Sequence, residues 1–272
     1  NLETNLSQML TAVEAAGLPA FVCTTASNEA GLRPLGDGGA ALAAFEQAER
    51  AAAAGDRKAA RAAFLEARDL DSMPWRPIAA TEQAIRRAAR AAGVPLCDIA
   101  ARFRDLAVSA ATDWELLDDH VHLSLRGQAE AARCMVEAFA NLPPAVRVEP
   151  SAAADLPDSS ELAERLGANE YDAYRVHHTL RTLFGVPFMK RSNPEAFRRF
   201  QTACQDAEQA MSPAILETAR EWQTLRPHAG GMRPLTGMVA RVLLREKKPA
   251  EAEPLFCIAQ RQVPDYTSWY LE

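Results

Sequence analysis

The chain has 272 residues, of which 48% are hydrophobic and 24% charged, a composition typical of a globular protein with one large or two modest domains. Its 13 Gly and 17 Pro residues are too few for a collagen-like or disordered chain. With 30 Lys and Arg against 36 Asp and Glu, the net charge is −6. The chain therefore lacks the basic excess of nucleic-acid-binding proteins, and we expect no nucleic-acid partner.

Neither a membrane span nor a cysteine framework is predicted. No stretch approaches roughly 18 uninterrupted apolar residues, and the start of the chain lacks the basic-then-apolar pattern of a signal peptide. The 5 cysteines are scattered and include no Cys-x-x-Cys pair, so they indicate neither a disulfide framework nor a zinc site. We expect them to be buried as small hydrophobic side chains.

The chain opens with a helix that leads into a short apolar strand. Apolar residues recur every three or four positions from Leu2 to Ala16, as on one face of an amphipathic helix. Gly17 is placed to end this helix. The nearly continuous apolar run over residues 18–25 then predicts a strand that is buried on both faces, as in a parallel sheet.

The same order returns downstream, with a helix over residues 81–92, a stop at Gly93 and a strand over residues 94–99. Helices that alternate with short apolar strands predict a parallel α/β sheet. Two parallel strands do not form a stable open sheet by themselves. Either the domain is small and unusual, or more strands precede Asn1.

An Ala-rich segment, residues 39–72, separates these two units and has helical periodicity. Within it, Ala60, Phe64 and Ala67 have the spacing of one helix of a tetratricopeptide-like hairpin. The same spacing recurs near the C-terminus at Ala252, Phe256, Ala259 and Pro264. Neither hairpin has a tandem copy beside it, so a full solenoid is not predicted. Each hairpin either packs against the rest of the protein as a structural addition or forms a groove that binds a partner.

Three regions follow from these patterns. Residues 1–145 contain both helix–strand units, residues 146–158 form a polar, proline-bearing linker, and residues 159–272 have a helical pattern throughout. The helical region is a candidate surface for a protein partner.

The segment from Asp119 to Ser124 is the most informative for chemistry. Ser124 is a natural N-cap for the helix that follows, and loops at the carboxyl ends of parallel strands line the ligand crevice. Asp119 and His122 are three residues apart, so in a tight turn the carboxylate accepts a hydrogen bond from the imidazole Nδ1–H. Nε2 is then left to take a proton from a nucleophile.

Two other interpretations of this loop stay open on spacing alone. A polar run of this kind is most often a solvated or capping loop. Alternatively, the two carboxylates and two imidazoles of residues 118–122 could bind a metal ion. The remaining histidines are interpreted as surface or packing residues. They are His177, His178 and His228.

The run Asp-His-Val-His-Leu-Ser-Leu-Arg-Gly over residues 119–127, followed by an Ala-rich helix, resembles the last motif block of the SGNH (GDSL-type) hydrolases. That block reads Asp-x-x-His, and a Gly then opens the final helix. Residues 5–28 are similar to the helix, strand and loop of a subset of that family that carries tetratricopeptide-like insertions. In this subset an Ala-rich hairpin precedes an Arg, as residues 67–71 precede Arg76 here.

The resemblance covers residues 1–141 and implies an α/β fold there, a partial parallel three-layer sheet of the flavodoxin-like SGNH type with a helical insertion. The helical pattern of residues 159–272 predicts that an all-α region follows it. The resemblance makes His122 the general base, Asp119 its orienting partner and Asn28 a residue of the substrate pocket. The implied reaction is ester hydrolysis or acyl transfer by serine attack on a small-molecule or glycan ester. It requires no metal and no cofactor.

The family's nucleophilic Ser, and the Gly and Asn of its oxyanion hole, have no match in this sequence. In the family they precede the helix with which this chain begins, so we expect an N-terminally truncated chain that is inactive alone. Ser124 follows the His as a helix cap, and Ser27 lacks the Gly-Asp-Ser context. The alternative hypothesis is a non-catalytic, tetratricopeptide-like interaction module with a vestigial Asp-x-x-His loop.

Overall fold

A computed structural model of the protein describes residues 1–224 and 234–263. The protein is mainly helical, with 66% of its residues in helices. The described residues contain 13 α-helices and two parallel strands of two residues each. The prediction of a three-layer α/β sheet is therefore wrong. The chain divides into unit 1, residues 1–162, and unit 2, residues 163–272.

Unit 1 holds both strands and the first six helices. Their bounds are α1 (Leu2–Ala15), β1 (Val22–Cys23), α2 (Gly39–Ala53), α3 (Arg57–Asp69), α4 (Ala79–Ala92), β2 (Leu96–Cys97), α5 (Ile99–Leu106) and α6 (Leu125–Phe139), followed by a 3₁₀ helix (Pro150–Ala153). The next helix, α7 (Ser159–Leu166), begins in unit 1 and ends in unit 2.

The described residues of unit 2 form helices and the loops that join them. Its further helices are α8 (Glu170–Gly185), α9 (Pro187–Ser192), α10 (Pro194–Ala210), α11 (Pro213–Thr224), α12 (Leu235–Arg245) and α13 (Pro249–Gln262). Ala252, Phe256 and Ala259 are buried on α13, as their spacing predicts. Pro264, the fourth residue of that pattern, lies outside the described residues.

The two predicted strands exist, but they are much shorter than the apolar runs. Val22 pairs with Leu96 and Cys23 with Cys97 in parallel register. The ladder stops downstream because Asp98 accepts a hydrogen bond from Ala101 N and caps α5 directly after β2. Apolar flanking residues that pack without ladder hydrogen bonds look the same in sequence as strand residues.

Helices cover both faces of the strand pair. On one face α1 and α4 pack around Leu10, Val22 and Ile85. On the other face Phe103 of α5 and Cys134 of α6 form part of a second buried cluster. Helices thus pack on both faces of the strand pair, while Cys23 and Leu96 remain partly exposed.

The Ala-rich segment forms a helical hairpin of α2 and α3. The predicted positions Ala60, Phe64 and Ala67 are all buried against the neighbouring helix. The rings of Phe45 and Phe64 meet edge to face, 5.2 Å apart between centroids. The small side chains let the two helices approach closely.

The segment predicted as a linker, residues 146–158, contains the 3₁₀ helix, which packs against α6. Arg133 of α6 donates hydrogen bonds to the carbonyls of Leu156 and Pro157, at 3.1 and 2.7 Å. Within the described ranges, no helix is both long enough and apolar enough to cross a bilayer.

Candidate functional site

The loop between α5 and α6 ends in a tight turn that presents the predicted histidine. Leu117 and Leu123 form an antiparallel bridge, and Asp118 N donates to His122 O at 2.8 Å. Ser124 then caps α6 by accepting a hydrogen bond from Gly127 N at 3.1 Å. A Cβ at Gly127 would lie 2.0 Å from a backbone carbonyl oxygen, so only glycine fits there.

The contact that the spacing predicts is present in this turn. Asp119 Oδ2 lies 2.6 Å from His122 Nδ1, while Asp119 Oδ1 accepts hydrogen bonds from Val121 N and His122 N, both at 2.8 Å. The Asp119 side chain is only 5% exposed, whereas the His122 side chain is 76% exposed. A fixed, buried carboxylate therefore orients an imidazole that faces solvent.

The surroundings of Asp119 favour its ionised form. Burial by itself would raise the pKa of Asp119, but the backbone N–H groups of His122 and Val121 and the His122 imidazole outweigh it, so the pKa lies below its usual value. A carboxylate that is ionised near neutral pH can stabilise positive charge on His122.

A second imidazole and an indole lie beside this pair. His120 Nδ1 is 3.4 Å from Asp119 Oδ1 but makes no hydrogen bond. Burial, together with the nearby His122 and Arg76, lowers the pKa of His120 despite the adjacent carboxylate. The Trp75 ring lies 5.3 Å from the His120 ring and is 40% exposed. The His120 ring in turn lies 6.0 Å from the ring of the exposed His122.

Asn28 joins the loop after β1 to the same turn, so the three predicted site residues come together. Its backbone N–H donates to His120 O at 3.0 Å, and its side-chain Nδ2 donates to Asp119 O at 3.1 Å. Its Oδ1 accepts from Gly31 N at 2.8 Å. Asn28 is fully buried, and through these contacts it links the loop after β1 to the Asp119–His122 turn. Its role in a substrate pocket stays a prediction.

A buried arginine holds the backbone of the Asn28 loop. Arg76 Nη1 donates to Asn28 O at 2.9 Å and to Leu32 O at 2.7 Å, and Nη2 lies 3.3 Å from Asp71. Asp71 in turn accepts hydrogen bonds from three backbone N–H groups, those of Leu35, Gly36 and Met73. Side chains therefore satisfy a loop backbone that has no regular secondary structure.

Next to Asn28, four buried charged side chains form what we call the charge cluster: Glu29, Arg68, Glu82 and Arg104. Arg68 Nη1 donates to Glu29 at 2.9 Å and to Glu82 at 2.7 Å. Arg104 donates to Glu29 at 2.6 Å and to Glu82 at 2.9 Å. Within the cluster, each charge thus has two partners of opposite sign; Arg68 also pairs with Asp69, and Glu82 with Arg86.

Sequence reasoning missed this cluster, although a signal for it exists. Arg68 stands four residues after Phe64, and Glu82 three residues before Ile85, so each lies on the apolar face of its helix. A charged residue on such a face needs a buried partner. The sequence does not indicate which partner it finds.

The other sequence candidates lie apart from this pair or are engaged elsewhere. In the described parts of the chain, no serine hydroxyl is hydrogen-bonded to His122; Ser124 Oγ donates to Glu115 O at 2.8 Å, and Ser27 is buried. His177 and His178 lie on α8 against aromatic rings, while His228 is outside the described residues.

No group of three or more His, Cys, Asp or Glu side chains within residues 1–224 and 234–263 is arranged to hold a metal ion. Comparison of the chain with protein-family models, with curated proteins and with solved structures finds no match. What can be said of the chemistry of the site therefore rests on its geometry.

Proposed function

We propose that unit 1 carries the base half of a serine-type ester hydrolase or acyl transferase, with His122 as general base and Asp119 as the residue that orients it. One observation carries the proposal, the 2.6 Å contact between His122 Nδ1 and the buried Asp119 carboxylate. Because Asp119 occupies Nδ1 as an acceptor, the neutral imidazole keeps its proton there and leaves Nε2 free to accept one.

In the proposed reaction, a serine hydroxyl gives its proton to His122 Nε2 while its oxygen attacks the ester carbonyl carbon. The imidazolium, stabilised by Asp119, then returns this proton to the leaving alcohol as the tetrahedral intermediate collapses to an acyl-enzyme. Water, or a sugar hydroxyl, repeats the two steps and releases the acyl group. We propose that the serine and the oxyanion donors are supplied from outside this chain.

The solvent exposure of His122 is consistent with a base that acts on a serine supplied from outside this chain. A base whose side chain is 76% exposed is open to a nucleophile and a substrate that approach from solvent. By contrast, a buried histidine usually has its ring nitrogens hydrogen-bonded within the fold. We further propose that Trp75, whose ring lies 5.3 Å from that of His120, offers an apolar surface for the acyl or alcohol group of the ester.

The test is hydrolysis of a short-chain aryl ester by this chain together with any residues that its gene encodes ahead of Asn1. We expect His122→Ala to lower kcat/KM by roughly 10²–10⁴-fold, the usual contribution of a general base. Asp119→Asn should also lower the rate, because the amide no longer fixes the imidazole tautomer. His177→Ala, a half-buried histidine of unit 2, is the matched control and should keep the parent rate.

Equal rates for the parent and His122→Ala would refute the assignment. The 272-residue chain alone should be inactive, since it lacks the proposed serine. If no form of the protein hydrolyses esters, the chain is better described as a helical module that binds a protein partner.

A further inference from the structure

Three of the five cysteines converge where β1 and β2 meet α6. Cys23 and Cys97 are direct partners in the parallel strand pair, and Cys134 projects from α6 into the same buried cluster. Cys97 Sγ and Cys134 Sγ are 2.9 Å apart. In sequence these residues are widely separated, so the fold alone brings them together.

The Cys97–Cys134 distance is the informative quantity. It is shorter than the van der Waals contact of two sulfur atoms and longer than the roughly 2.05 Å of a disulfide bond. Both residues are buried, Cys97 with 1% and Cys134 with 8% exposure. Their sulfur atoms therefore face one another, and a shift of about 1 Å would bring them to bonding distance.

Access to this buried pair runs through Cys23. Cys23 is the one member of the three that is partly exposed. A hydrogen bond from Cys97 lowers the pKa of Cys23 to about 7, against the opposing effect of burial, so a large fraction of Cys23 is thiolate at neutral pH. The contacts with Cys134 and with Cys23 raise the pKa of Cys97, so Cys97 has to lose its proton before it can act as a nucleophile.

We propose that Cys97 and Cys134 are a modification site that forms a disulfide by exchange with a low-molecular-weight disulfide such as oxidised glutathione, with Cys23 as the entry thiol. The Cys23 thiolate attacks one sulfur of oxidised glutathione, forms a mixed disulfide and releases one glutathione thiolate. Cys97 then gives its proton to the released glutathione thiolate, attacks Cys23 Sγ and releases the second glutathione as a thiolate.

Cys134 completes the exchange by attacking Cys97 Sγ, which forms the Cys97–Cys134 bond and returns Cys23 as a thiolate. In total, two protein thiols are oxidised, one glutathione disulfide is reduced, and the two protons go to the two glutathione thiolates. The bond would tie β2 to α6, the helix that starts directly after the Asp119–His122 turn. This proposal is independent of ester hydrolysis.

The test uses the folded 272-residue chain, incubated with excess oxidised glutathione at neutral pH and quenched with a thiol-alkylating reagent. Digestion without reductant, followed by mass spectrometry, should yield one peptide pair that links Cys97 to Cys134 and is two hydrogens lighter than its parts. Cys23 should be alkylated. The oxidised chain should also unfold at a higher temperature than the reduced chain, because the crosslink restricts the unfolded state.

Two variants separate the roles of the thiols. Cys23→Ala should form the same bond, but slower by roughly tenfold or more, because the entry thiolate is missing. Cys204→Ala removes a buried thiol of unit 2 and should leave both the bond and its rate unchanged. Alkylation of all three cysteines after incubation, or a stable Cys23–Cys97 link in place of the proposed one, would overturn the assignment. An unchanged rate in Cys23→Ala would remove the entry role.

Discussion

The two units bury different kinds of side chains. Unit 1 encloses the charge cluster, the Arg76–Asp71 pair and Asp119. The described part of unit 2 encloses no charged side chain; its core contains aromatic residues such as Tyr174 and Trp222. The buried charges of unit 1 lie on or next to the segments that hold Asn28 and the His122 turn, so the polar interior coincides with the candidate site.

This difference has a physical basis in the backbone. Helices satisfy most of their own N–H and C=O groups, so the helices of unit 2 pack mainly through apolar side chains, with uncharged polar residues such as Thr236 also buried. The loop after β1 has no such internal pairing. Arg76 and Asp71 supply the missing donors and acceptors, and the neighbouring Glu29 joins this loop to the helices that carry Arg68 and Arg104.

The largest loss of stability is expected when one member of the charge cluster loses its charge. Glu29→Gln leaves Arg68 and Arg104 with Glu82 as their shared carboxylate within the cluster. Removing one partner of a buried ion pair lowers the free energy of unfolding by about 3–5 kcal/mol. Urea unfolding, with hydrogen exchange to assign the loss to unit 1, measures this change.

A double variant shows whether the charges act as a group. Because Glu29 and Arg68 contact each other, Glu29→Gln combined with Arg68→Met should cost less than the sum of the two single variants. A strictly additive result would mean that the two charges do not interact, and the comparison between the units would lose its electrostatic basis.

Acid should destabilise unit 1 before unit 2. The pKa of Glu82 is lowered by Arg104 and Arg68 against the effect of burial, and the pKa of Asp98 is lowered by Arg86 and Thr24 against burial. Together with Asp119, these carboxylates have lower pKa values folded than unfolded. Their contribution to stability is therefore complete above roughly pH 5 and is lost as pH falls through the folded pKa values.

Hydrogen exchange between pH 7 and pH 2, corrected for the intrinsic exchange rate, measures this order. Amides of α3 and α4 in unit 1 should lose protection at higher pH than those of α10 and α12 in unit 2. Simultaneous loss in both units, or earlier loss in unit 2, would contradict the comparison.

Local features of unit 1 could be predicted from the sequence. Gly17 and Gly93 have positive φ values of 65° and 66°, as a glycine after the end of a helix often does. The contact between Asp119 and His122 was also accessible, because it joins residues three positions apart within one turn. Interactions between near neighbours depend on spacing, which a sequence displays directly.

Long-range features could not be predicted in the same way. The strand length depends on where the ladder hydrogen bonds stop, and Asp98 ends them by capping α5. The charge cluster draws Glu29 from a loop and Arg68 from α3, 39 positions apart. Nothing in the spacing of such residues indicates that they meet, so the sequence could not reveal how the candidate site is supported.

A smaller loss of stability is expected when Asn28, the uncharged side chain that links the loop after β1 to the Asp119–His122 turn, is truncated. Asn28→Ala leaves Asp119 O and Gly31 N without their side-chain partner. A buried group that loses its partner costs about 1–3 kcal/mol. The free energy of unfolding from urea titration tests this value, with Asn141→Ala as the control, because Asn141 is exposed and bonds only within its own helix end. If the two variants lowered the free energy of unfolding equally, Asn28 would not link the two loops.

The smallest effect is expected for the same Glu-to-Gln change on the surface of unit 2. Glu195 lies 2.9 Å from Arg198, yet the two side chains are 88% and 65% exposed. Water screens such a pair, so Glu195→Gln should change the free energy of unfolding by less than about 0.5 kcal/mol. The salt bridge is as short as that between Arg68 and Glu29. Comparing Glu195→Gln with Glu29→Gln therefore tests the effect of burial at equal distance. If Glu195→Gln cost as much as Glu29→Gln, burial would not be what distinguishes the two units.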